Sequence, residues 1–230
     1  MGKCLIFGAG ERVPAERVSS IENGDLVIAA DGGLSWIAEE FPSVLPNVIL
    51  GDFDSLPEQE GVIRAFLTKA KLEGAHLPAV MKYPVEKDDT DTGIAVVEGL
   101  ARGYREFVIY GGTGGRMDHT LANMSLLLHI ALKGGHGFLV SPAMCATAYS
   151  GKAVVRGVIG ETFSVFATGE GAEGVSIRGA KYEVEDAALK ESYALGVSNS
   201  FSSEETVVSA KKGTLLMVGE FLPEDVSFSE

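Results

Sequence analysis

Hydrophobic residues in the first part of the chain form short continuous runs that alternate with segments of helical periodicity. The runs end in Gly, Asp or Pro, which is typical of strands buried on both faces of a sheet. They lie at residues 3–7, 26–30, 47–50, 79–83, 107–110 and 138–140, and the predicted helices at 13–21, 34–40, 56–72, 92–102 and 119–133. The last helix carries apolar residues on every face and is expected to be buried on most sides. The alternation predicts α/β architecture, with a Rossmann-like N-terminal domain built on a mainly parallel sheet.

The pattern changes after Pro142. Short segments, several with alternating apolar and polar residues, are separated by turns that contain glycine. They lie at residues 146–149, 153–155, 162–167, 174–177, 181–184, 206–210 and 214–218. This half predicts a C-terminal all-β sandwich or barrel. We therefore expect an α/β domain over residues 1–142 and a β domain over residues 143–230.

The composition narrows the functional classes. The 230 residues include 32 acidic and 19 basic ones, which gives a formal net charge of −13. Nucleic acid phosphates and anionic lipids select Lys and Arg surfaces, so this charge argues against broad contact with nucleic acid or membrane. The two cysteines, Cys4 and Cys145, lie in apolar segments and cannot build a disulfide framework. Without a signal-like start or a run of about 18 apolar residues, the chain is expected to be cytoplasmic.

The residues that follow the apolar runs are the candidates for chemistry, because ligands of open parallel sheets bind beyond the carboxyl ends of the strands. Four of these strand exits are unusual, and read ADGG at 30–33, GDFDS at 51–55, KDDTD at 87–91 and GGTGGRMDH at 111–119. They hold seven aspartates: Asp31, Asp52, Asp54, Asp88, Asp89, Asp91 and Asp118. Independent turns would scatter their acids to both edges of the sheet. The concentration indicates one acidic site at one edge.

Asp52 and Asp54 are spaced to share a cation. In extended chain their side chains point the same way, about 6.6 Å apart along the strand, so both carboxylates can reach one hard ion. Oxygen ligands alone favour Mg²⁺ or Mn²⁺ over zinc. The alternative is ordinary turn chemistry, because Ser55 and Glu58 fit a capping box for the next helix.

The aspartates at 88, 89 and 91 precede the helix predicted at 92–102. Negative charge complements the dipole of a helix at its start, so a solvated helix start is one interpretation. Three carboxylates within four residues exceed what one cap uses, and a cation or the ammonium group of Lys87 would relieve their repulsion. Both interpretations stay open from the sequence.

The stretch 111–116 places four glycines around one threonine and ends in Arg116, directly before a helix. Glycines let main-chain N–H groups approach an oxyanion, the helix start adds partial positive charge, and arginine offers a two-pronged contact for phosphate. The loop lacks the Lys-Ser/Thr pair of a Walker A motif, and Gly8-Ala9-Gly10 is no dinucleotide fingerprint because Val13 takes the third glycine position. A tight turn with Asp118 as N-cap is the alternative. With the carboxylates, the loop makes phosphoryl-type transfer from a nucleotide the leading class.

The four motifs, in this order, resemble those of the thiamine pyrophosphokinase family. The resemblance rests on Asp31-Gly32-Gly33 and on the segments 51–55, 86–91 and 114–119, and it spans nearly the whole chain. It implies an α/β catalytic domain that binds ATP with Mg²⁺, followed by a β-sandwich that binds thiamine. It further implies transfer of the pyrophosphoryl group of ATP to the thiamine hydroxyl, giving thiamine diphosphate and AMP, in a homodimer with the site near the subunit interface.

The resemblance also implies a role for each motif residue. Mg²⁺, or Mn²⁺ in its place, would be held by Asp52, Asp54, Asp88 and Asp91. The nucleotide and its phosphates would contact Asp31, Gly32, Lys87, Thr90, Gly112, Thr113, Gly114, Gly115 and Arg116. Thiamine would contact Asp118, His119, Ser198 and Asn199. The catalytic residues would be Asp54, Asp91, Arg116 and Asp118, and Asp118 would orient the attacking hydroxyl or accept its proton. Ser200 stands where the family often has Glu.

The thiazolium cation of thiamine suits an acidic cleft and an aromatic face. Trp36 and Phe201 are candidates for that face, although a single tryptophan is more often part of a core.

Two other functional classes stay open. The Asp-x-Asp spacing of 52–54 also resembles the nucleophile loop of haloacid-dehalogenase-type phosphatases, but that interpretation leaves 111–119 and the β half unexplained. A non-catalytic nucleotide or thiamine binding module would keep its affinity when Asp54 is lost. A phosphatase would release inorganic phosphate without ATP, whereas the kinase would release AMP only in the presence of thiamine.

Overall fold

The structure is a computed structural model that describes residues 2–52, 56–84, 86 and 88–229. The chain is mixed α/β, and it divides into two compact units, Met1–Leu126 and Leu127–Glu230. The domain boundary predicted at 142 stays a prediction, because a division by compactness need not coincide with a division by function.

A parallel sheet forms the centre of the first unit. Its strands are β1 (Cys4–Phe7), β2 (Leu26–Ala30), β3 (Val48–Gly51), β4 (Ala79–Lys82) and β5 (Glu106–Tyr110). They are arranged in the order β5-β1-β2-β3-β4, and each neighbouring pair is parallel. Every residue of β1, β2 and β3 is buried, as continuous apolar runs require in a sheet covered on both faces.

Four α-helices occur in the described residues: α1 (Gly33–Glu40), α2 (Leu56–Glu73), α3 (Asp91–Ala101) and α4 (Met117–Leu132). The helix predicted at 13–21 is wrong, because that segment forms only a short 3-10 turn at Ala15–Arg17. The main-chain N–H of Ser19, which would bond to Ala15 in a helix, donates instead to the hydroxyl of Tyr110 at 2.9 Å. A contact between residues far apart in sequence thus replaces the helical one.

Helix α4 is less buried in this chain than its apolar composition predicts. Leu121 is 62% exposed and Leu132 is 71% exposed, whereas Leu127 and Ile130 are fully buried. One face of the helix therefore packs, and the expectation of burial on most sides is wrong for the single chain.

The second unit is built from antiparallel strands. They are β6 (His136–Val140), β7 (Cys145–Tyr149), β8 (Lys152–Arg156), β9 (Thr162–Arg178), β10 (Val184–Leu189), β11 (Gly196–Ser200), β12 (Glu205–Ser209), β13 (Lys212–Gly219) and β14 (Val226–Ser229). They follow the order β14-β8-β12-β9-β13-β7-β6, and β10 and β11 also pair with β9. Whether this unit closes as a sandwich or barrel stays a prediction.

Four strands of the second unit differ from expectation. Strand β9 joins the two segments predicted at 162–167 and 174–177, and a register shift in its pairing with β13 accommodates the glycines between them. Strand β10 overlaps the segment predicted at 181–184 only at Val184 and continues to Leu189, and β11 and β14 were not expected.

The large aromatic residues define the cores of the two units. Trp36 is 1% exposed and meets the ring of Phe7 edge-on at 5.2 Å, which confirms its place in the core. Phe201 is equally buried and contacts Phe163 at 4.7 Å. Neither ring offers the exposed face that was considered for the thiazolium. No described helix is long and apolar enough to cross a membrane.

Candidate active site

A cleft of about 1180 Å³ lies where the strands of the parallel sheet end. Its walls come from the residues after β1, β2, β3 and β5 and from the start of α3. Parallel strands present their carboxyl ends at one edge, and for this reason motifs far apart in sequence meet here. The cleft brings together the predicted site residues Asp31, Asp52, Thr90, Asp91, Gly112, Thr113, Gly114, Gly115, Arg116 and His119.

The other predicted site residues lie elsewhere. Of the described residues in the first unit, three predicted ones do not line the cleft: Gly32, Asp88 and Asp118. Two lie outside the described residues: Asp54 and Lys87. Two belong to the second unit: Ser198 and Asn199.

The Asp-Gly-Gly motif forms the turn from β2 into α1. Asp31 has a φ of 50°, in the left-handed region that Asp tolerates better than most residues. Its N–H donates to the carbonyl of Leu50 at 2.8 Å, which fixes it beside β3. A Cβ atom at Gly33 would overlap the carbonyl of Phe7, so only glycine lets α1 start this close to β1. The motif therefore places a carboxylate at the cleft through a turn that few other sequences allow.

At the start of α3, one residue caps the helix and another lines the cleft. Thr90 is the N-cap, and its hydroxyl accepts a bond from the N–H of Gly93 at 3.0 Å. Asp89 in turn accepts a bond from the N–H of Thr90 at 2.8 Å. Asp91 is in the first helical turn and lines the cleft. Because Thr90 already caps the helix, the carboxylate of Asp91 is not required for that purpose.

Arg116 and Asp118 form a two-bond ion pair. Arg116 donates from Nε to Oδ1 at 3.1 Å and from Nη2 to Oδ2 at 2.5 Å. Their side chains are 71% and 64% exposed. The hydrogen bond from Arg116 lowers the pKa of Asp118 to about 2, and the same bond raises the pKa of Arg116. A carboxylate with so low a pKa is a weak base at neutral pH. The alternative in which Asp118 is the N-cap is wrong, since α4 already begins at Met117.

The loop between β5 and α4 is held by groups that sequence reasoning missed. The segment Ala9–Gly10–Glu11 lines the cleft beside the loop, although it is no dinucleotide fingerprint. Asn123 of α4 also lines the cleft and is 4% exposed. Its side-chain Nδ2 donates to the carbonyl of Gly112 at 2.7 Å. A polar side chain that is buried in a helix must find a hydrogen-bond partner, and an asparagine among the apolar residues of α4 was the signal available in the sequence.

In the second unit, the side chain of Asn199 is bonded to main-chain groups. Its Oδ1 accepts from the N–H of Tyr182 and from the N–H of Ser200, each at 2.9 Å. Its Nδ2 donates to the carbonyl of Tyr182 at 2.8 Å. The neighbouring Ser198 has a φ of 62°, and its N–H donates to the hydroxyl of Ser164 at 3.1 Å. Asn199 therefore holds the shape of the segment in which Ser198 lies.

The donors of the cleft suit a hard cation. Asp52 and Asp91 both line it, and carboxylate oxygen is the ligand that Mg²⁺ prefers. Within the ranges that the structure describes, no three His, Cys, Asp or Glu side chains converge as a metal-binding group. Mg²⁺ usually takes one or two protein carboxylates and completes its shell with water and substrate phosphates. The residues present therefore fit the ion without forming a closed cage.

The fold and the cleft define a mixed α/β protein with a β-rich second unit and an acidic, glycine-rich site at the edge of its parallel sheet. Residues 18–136 match the family model for the catalytic domain of thiamin pyrophosphokinase, and residues 153–215 match that for the vitamin B1 binding domain of thiamin pyrophosphokinase. The chain belongs to the thiamin pyrophosphokinase family, a family of transferases. The phosphatase interpretation of residues 52–54 is thereby set aside.

Individual relatives agree with the family assignment. The chain is 31% identical over 123 residues to a thiamine pyrophosphokinase of Bacillus subtilis (strain 168), a match that covers 54% of this chain and 52% of that protein. The match thus spans about half the length of this curated relative. The crystal structure of the thiamine pyrophosphokinase from Bacillus subtilis has a TM-score of 0.81 at 23% identity, and covers 95% of this chain and 99% of that one.

Two other structures share the fold. The thiamin pyrophosphokinase from Geobacillus thermodenitrificans has a TM-score of 0.77 at 25% identity, covering 97% of this chain and 99% of that one. The yeast thiamin pyrophosphokinase has a TM-score of 0.72 at 16% identity, covering 97% of this chain and 87% of that one.

Proposed function

We propose that this protein is a thiamine diphosphokinase, which transfers the pyrophosphoryl group of ATP to the hydroxyl of thiamine and gives thiamine diphosphate and AMP. The observation that carries the proposal is one cleft in which Asp31, Asp52 and Asp91 meet a glycine-rich loop ending in Arg116. Carboxylates suit a cation, and loop amides with an arginine suit phosphates, which together are the needs of a nucleotide. Family membership supplies thiamine as the acceptor.

The proposed roles of the residues follow from the chemistry of their side chains and main-chain groups. Asp52 and Asp91 would hold Mg²⁺, and Asp54 and Asp88 would complete the acidic set. When bound, Mg²⁺ neutralises phosphate charge and polarises phosphoryl oxygens. The nucleotide and its phosphates would contact Asp31, Gly32, Lys87, Thr90, the loop residues Gly112, Thr113, Gly114 and Gly115, and Arg116.

Asp118 would act at the thiamine hydroxyl. Its carboxylate is paired with Arg116. If phosphate oxygens take over Arg116, the pKa of Asp118 rises toward its ordinary value, since the bond that lowers it is lost. The carboxylate can then orient the hydroxyl or accept its proton, and His119 lies close enough in the chain to contact the same substrate.

Thiamine would bind in the second unit near Ser198 and Asn199. The match of residues 153–215 to the vitamin B1 binding domain supports this assignment. We further propose a Rossmann-like first domain, a sandwich-like second domain and a homodimer. We propose the cytoplasm as the compartment, which suits two buried cysteines that form no disulfide in the described residues.

Product analysis tests the proposed reaction. The purified protein is incubated with ATP, Mg²⁺ and thiamine, and the nucleotides are separated by chromatography. We expect AMP and thiamine diphosphate in equal amounts, and no AMP without thiamine. ADP as the product would overturn pyrophosphoryl transfer, and inorganic phosphate released without thiamine would indicate a hydrolase.

Loss of Asp54 distinguishes an enzyme from a binding module. Asp54→Asn is expected to lower AMP release by about three orders of magnitude or more, because a lost ligand of the cation weakens charge stabilisation in the transition state. Asp186→Asn is the matched control, since that carboxylate is exposed and pairs with Lys211 in the second unit. Equal turnover of Asp54→Asn and the wild type would contradict the assignment of Asp54.

A further inference from the structure

Three successive carbonyl groups of the loop after β5 are bonded to donors outside the loop. The N–H of Gly10 donates to the carbonyl of Gly111, and the N–H of Glu11 donates to the carbonyl of Thr113, both at 2.7 Å. The carbonyl between them, that of Gly112, accepts the Nδ2 bond of Asn123 at 2.7 Å. The donors come from two different elements, the segment after β1 and the helix α4.

These bonds decide which groups of the loop are left for a ligand. Each residue carries one main-chain donor and one acceptor, and a carbonyl that faced the cleft would repel a phosphate. Within the described parts of the chain, the N–H groups of residues 112–115 donate no hydrogen bond. The hydroxyl oxygen of Thr113 is also buried without a partner there. The carbonyls of Gly111, Gly112 and Thr113 are thus used, whereas the N–H groups of residues 112–115 are left to donate, which is the arrangement that an anion needs.

The segment after β1 can bond to the loop carbonyls only because its main chain approaches the loop closely. A Cβ atom at Gly10 would overlap the carbonyl oxygens of both Gly111 and Thr113. Gly111 itself has a φ of 64°, which glycine adopts without strain. The Gly8-Ala9-Gly10 sequence is therefore explained by main-chain packing against the loop.

We propose that Asn123 is a positioning residue for the phosphate-binding loop, acting together with the main-chain N–H groups of Gly10 and Glu11. Asn123 holds the peptide group of Gly112 so that its carbonyl cannot turn into the cleft. Phosphate is bound by the loop and not by Asn123. The inference rests on the proposed function for its ligand, the phosphates of ATP.

Two substitutions at Asn123 test the proposal. Asn123→Asp keeps the shape of the side chain but replaces the Nδ2 donor with a carboxylate oxygen, and Asn123→Ala removes the group. Ser125→Ala is the matched control, because Ser125 is exposed on the same helix and bonds only within it. Calorimetric titration with ATP and with inorganic pyrophosphate, both with Mg²⁺, measures the affinity directly. Steady-state kinetics then gives KM for each substrate and kcat.

We expect both Asn123 variants to bind ATP and pyrophosphate about tenfold more weakly, which corresponds to the loss of one hydrogen bond. The KM for thiamine and the affinities of Ser125→Ala should stay at wild-type values. Unchanged ATP affinity in a folded Asn123 variant would overturn the proposal, even if its melting temperature fell. Parallel losses for ATP and thiamine would also overturn it, because they would indicate general damage.

The titration separates this inference from the proposed reaction. If the wild type binds ATP but forms no AMP, the reaction assignment fails, and the comparison of ATP affinities still decides the role of Asn123. If Asn123→Ala does not fold, Asn123→Asp and Gly10→Ala provide the test. Gly10→Ala displaces the same loop from the other side, so we expect the same selective loss of phosphate affinity.

Discussion

Truncation of Asn199 tests whether this side chain binds substrate or holds the main chain. Its amide makes three hydrogen bonds of 2.8 to 2.9 Å to main-chain groups of Tyr182 and Ser200, and the residue is 5% exposed. Asn199→Ala leaves these groups without their partner. At about 0.5–1.5 kcal/mol for each hydrogen bond, we expect the free energy of unfolding to fall by about 2–4 kcal/mol.

Urea denaturation measures this loss, and two variants serve as references. Asn199→Asp keeps an acceptor for the N–H groups of Tyr182 and Ser200 but loses the donor to the carbonyl of Tyr182. Its loss should therefore be smaller, about 1–2 kcal/mol. Ser198→Ala changes the neighbouring residue on β11. The main-chain N–H of Ser198 donates to the hydroxyl of Ser164, and the substitution keeps this N–H. Its effect should stay within about 0.5 kcal/mol.

Substrate discrimination separates a positioning role of Asn199 from a direct contact. Thiamine is compared with an analogue that lacks the amino group on the pyrimidine ring, and the ratio of kcat/KM is measured for the wild type and for Asn199→Asp. A residue that holds the main chain leaves this ratio unchanged, even where KM rises for both compounds. A collapse of the ratio in Asn199→Asp would refute the reasoning, as would a stability loss in Asn199→Ala below about 0.5 kcal/mol.

Two further predictions concern the turn from β2 into α1 and the ion pair at the start of α4. Gly33→Ala should lower the free energy of unfolding by about 3 kcal/mol, because a Cβ atom there overlaps main chain at the end of β1. Gly61→Ala, in open space on α2, should raise that free energy by up to about 1 kcal/mol, and equal effects in urea denaturation would contradict the packing argument. The pKa of Asp118 is lowered from 3.8 to about 2, so its pairing with Arg116 is fully present above the unfolded value and is lost as the pH falls through the folded one. Arg116→Ala should return this pKa toward 3.8, measured from the carboxyl chemical shift, whereas Arg178→Ala should leave it unchanged.

The parallel sheet was predictable because burial on both faces leaves a continuous apolar run in the sequence. The observed bounds of β1 to β5 lie within one residue of the predicted ones. The helix expected at 13–21 failed for a reason that periodicity cannot show. The hydroxyl of Tyr110, far away in sequence, takes the N–H of Ser19 that a helix would have used.

The second unit was harder to predict for two reasons. Some of its strands are largely polar, and one strand, β9, combines two segments that the sequence pattern separates. Strand β11 reads GVSNS, a sequence with little apolar character. The side chain of Asn199 stabilises this segment through main-chain groups, which no pattern of hydrophobicity reveals. The glycines inside β9 look like turns in the sequence, but the register shift against β13 keeps them within one strand.

The composition of the site was predictable, whereas the pairing of its residues was not. Motifs that follow parallel strands must meet at one edge, and Asp31, Asp52 and Asp91 do so. Which acid meets which base depends on distances that sequence spacing does not fix. The ion pair between Arg116 and Asp118 is an example, because the motif predicts a phosphate ligand for Arg116 but not this partner.

Asn123 and Asn199 show how a hydrogen-bond inventory refines roles implied by motifs. Both are buried, and both bond to main-chain carbonyls in segments where a motif places ligand binding. The buried amide of Asn199 makes three such bonds and has little capacity left for a substrate, whereas the Nδ2 group of Asn123 is used by the carbonyl of Gly112. Direct contacts are then better assigned to groups that keep unused capacity, such as the loop N–H groups of 112–115. Asparagine at such positions acts on binding through the shape of the main chain, and its substitution should change affinity without changing which chemical groups of the substrate are recognised.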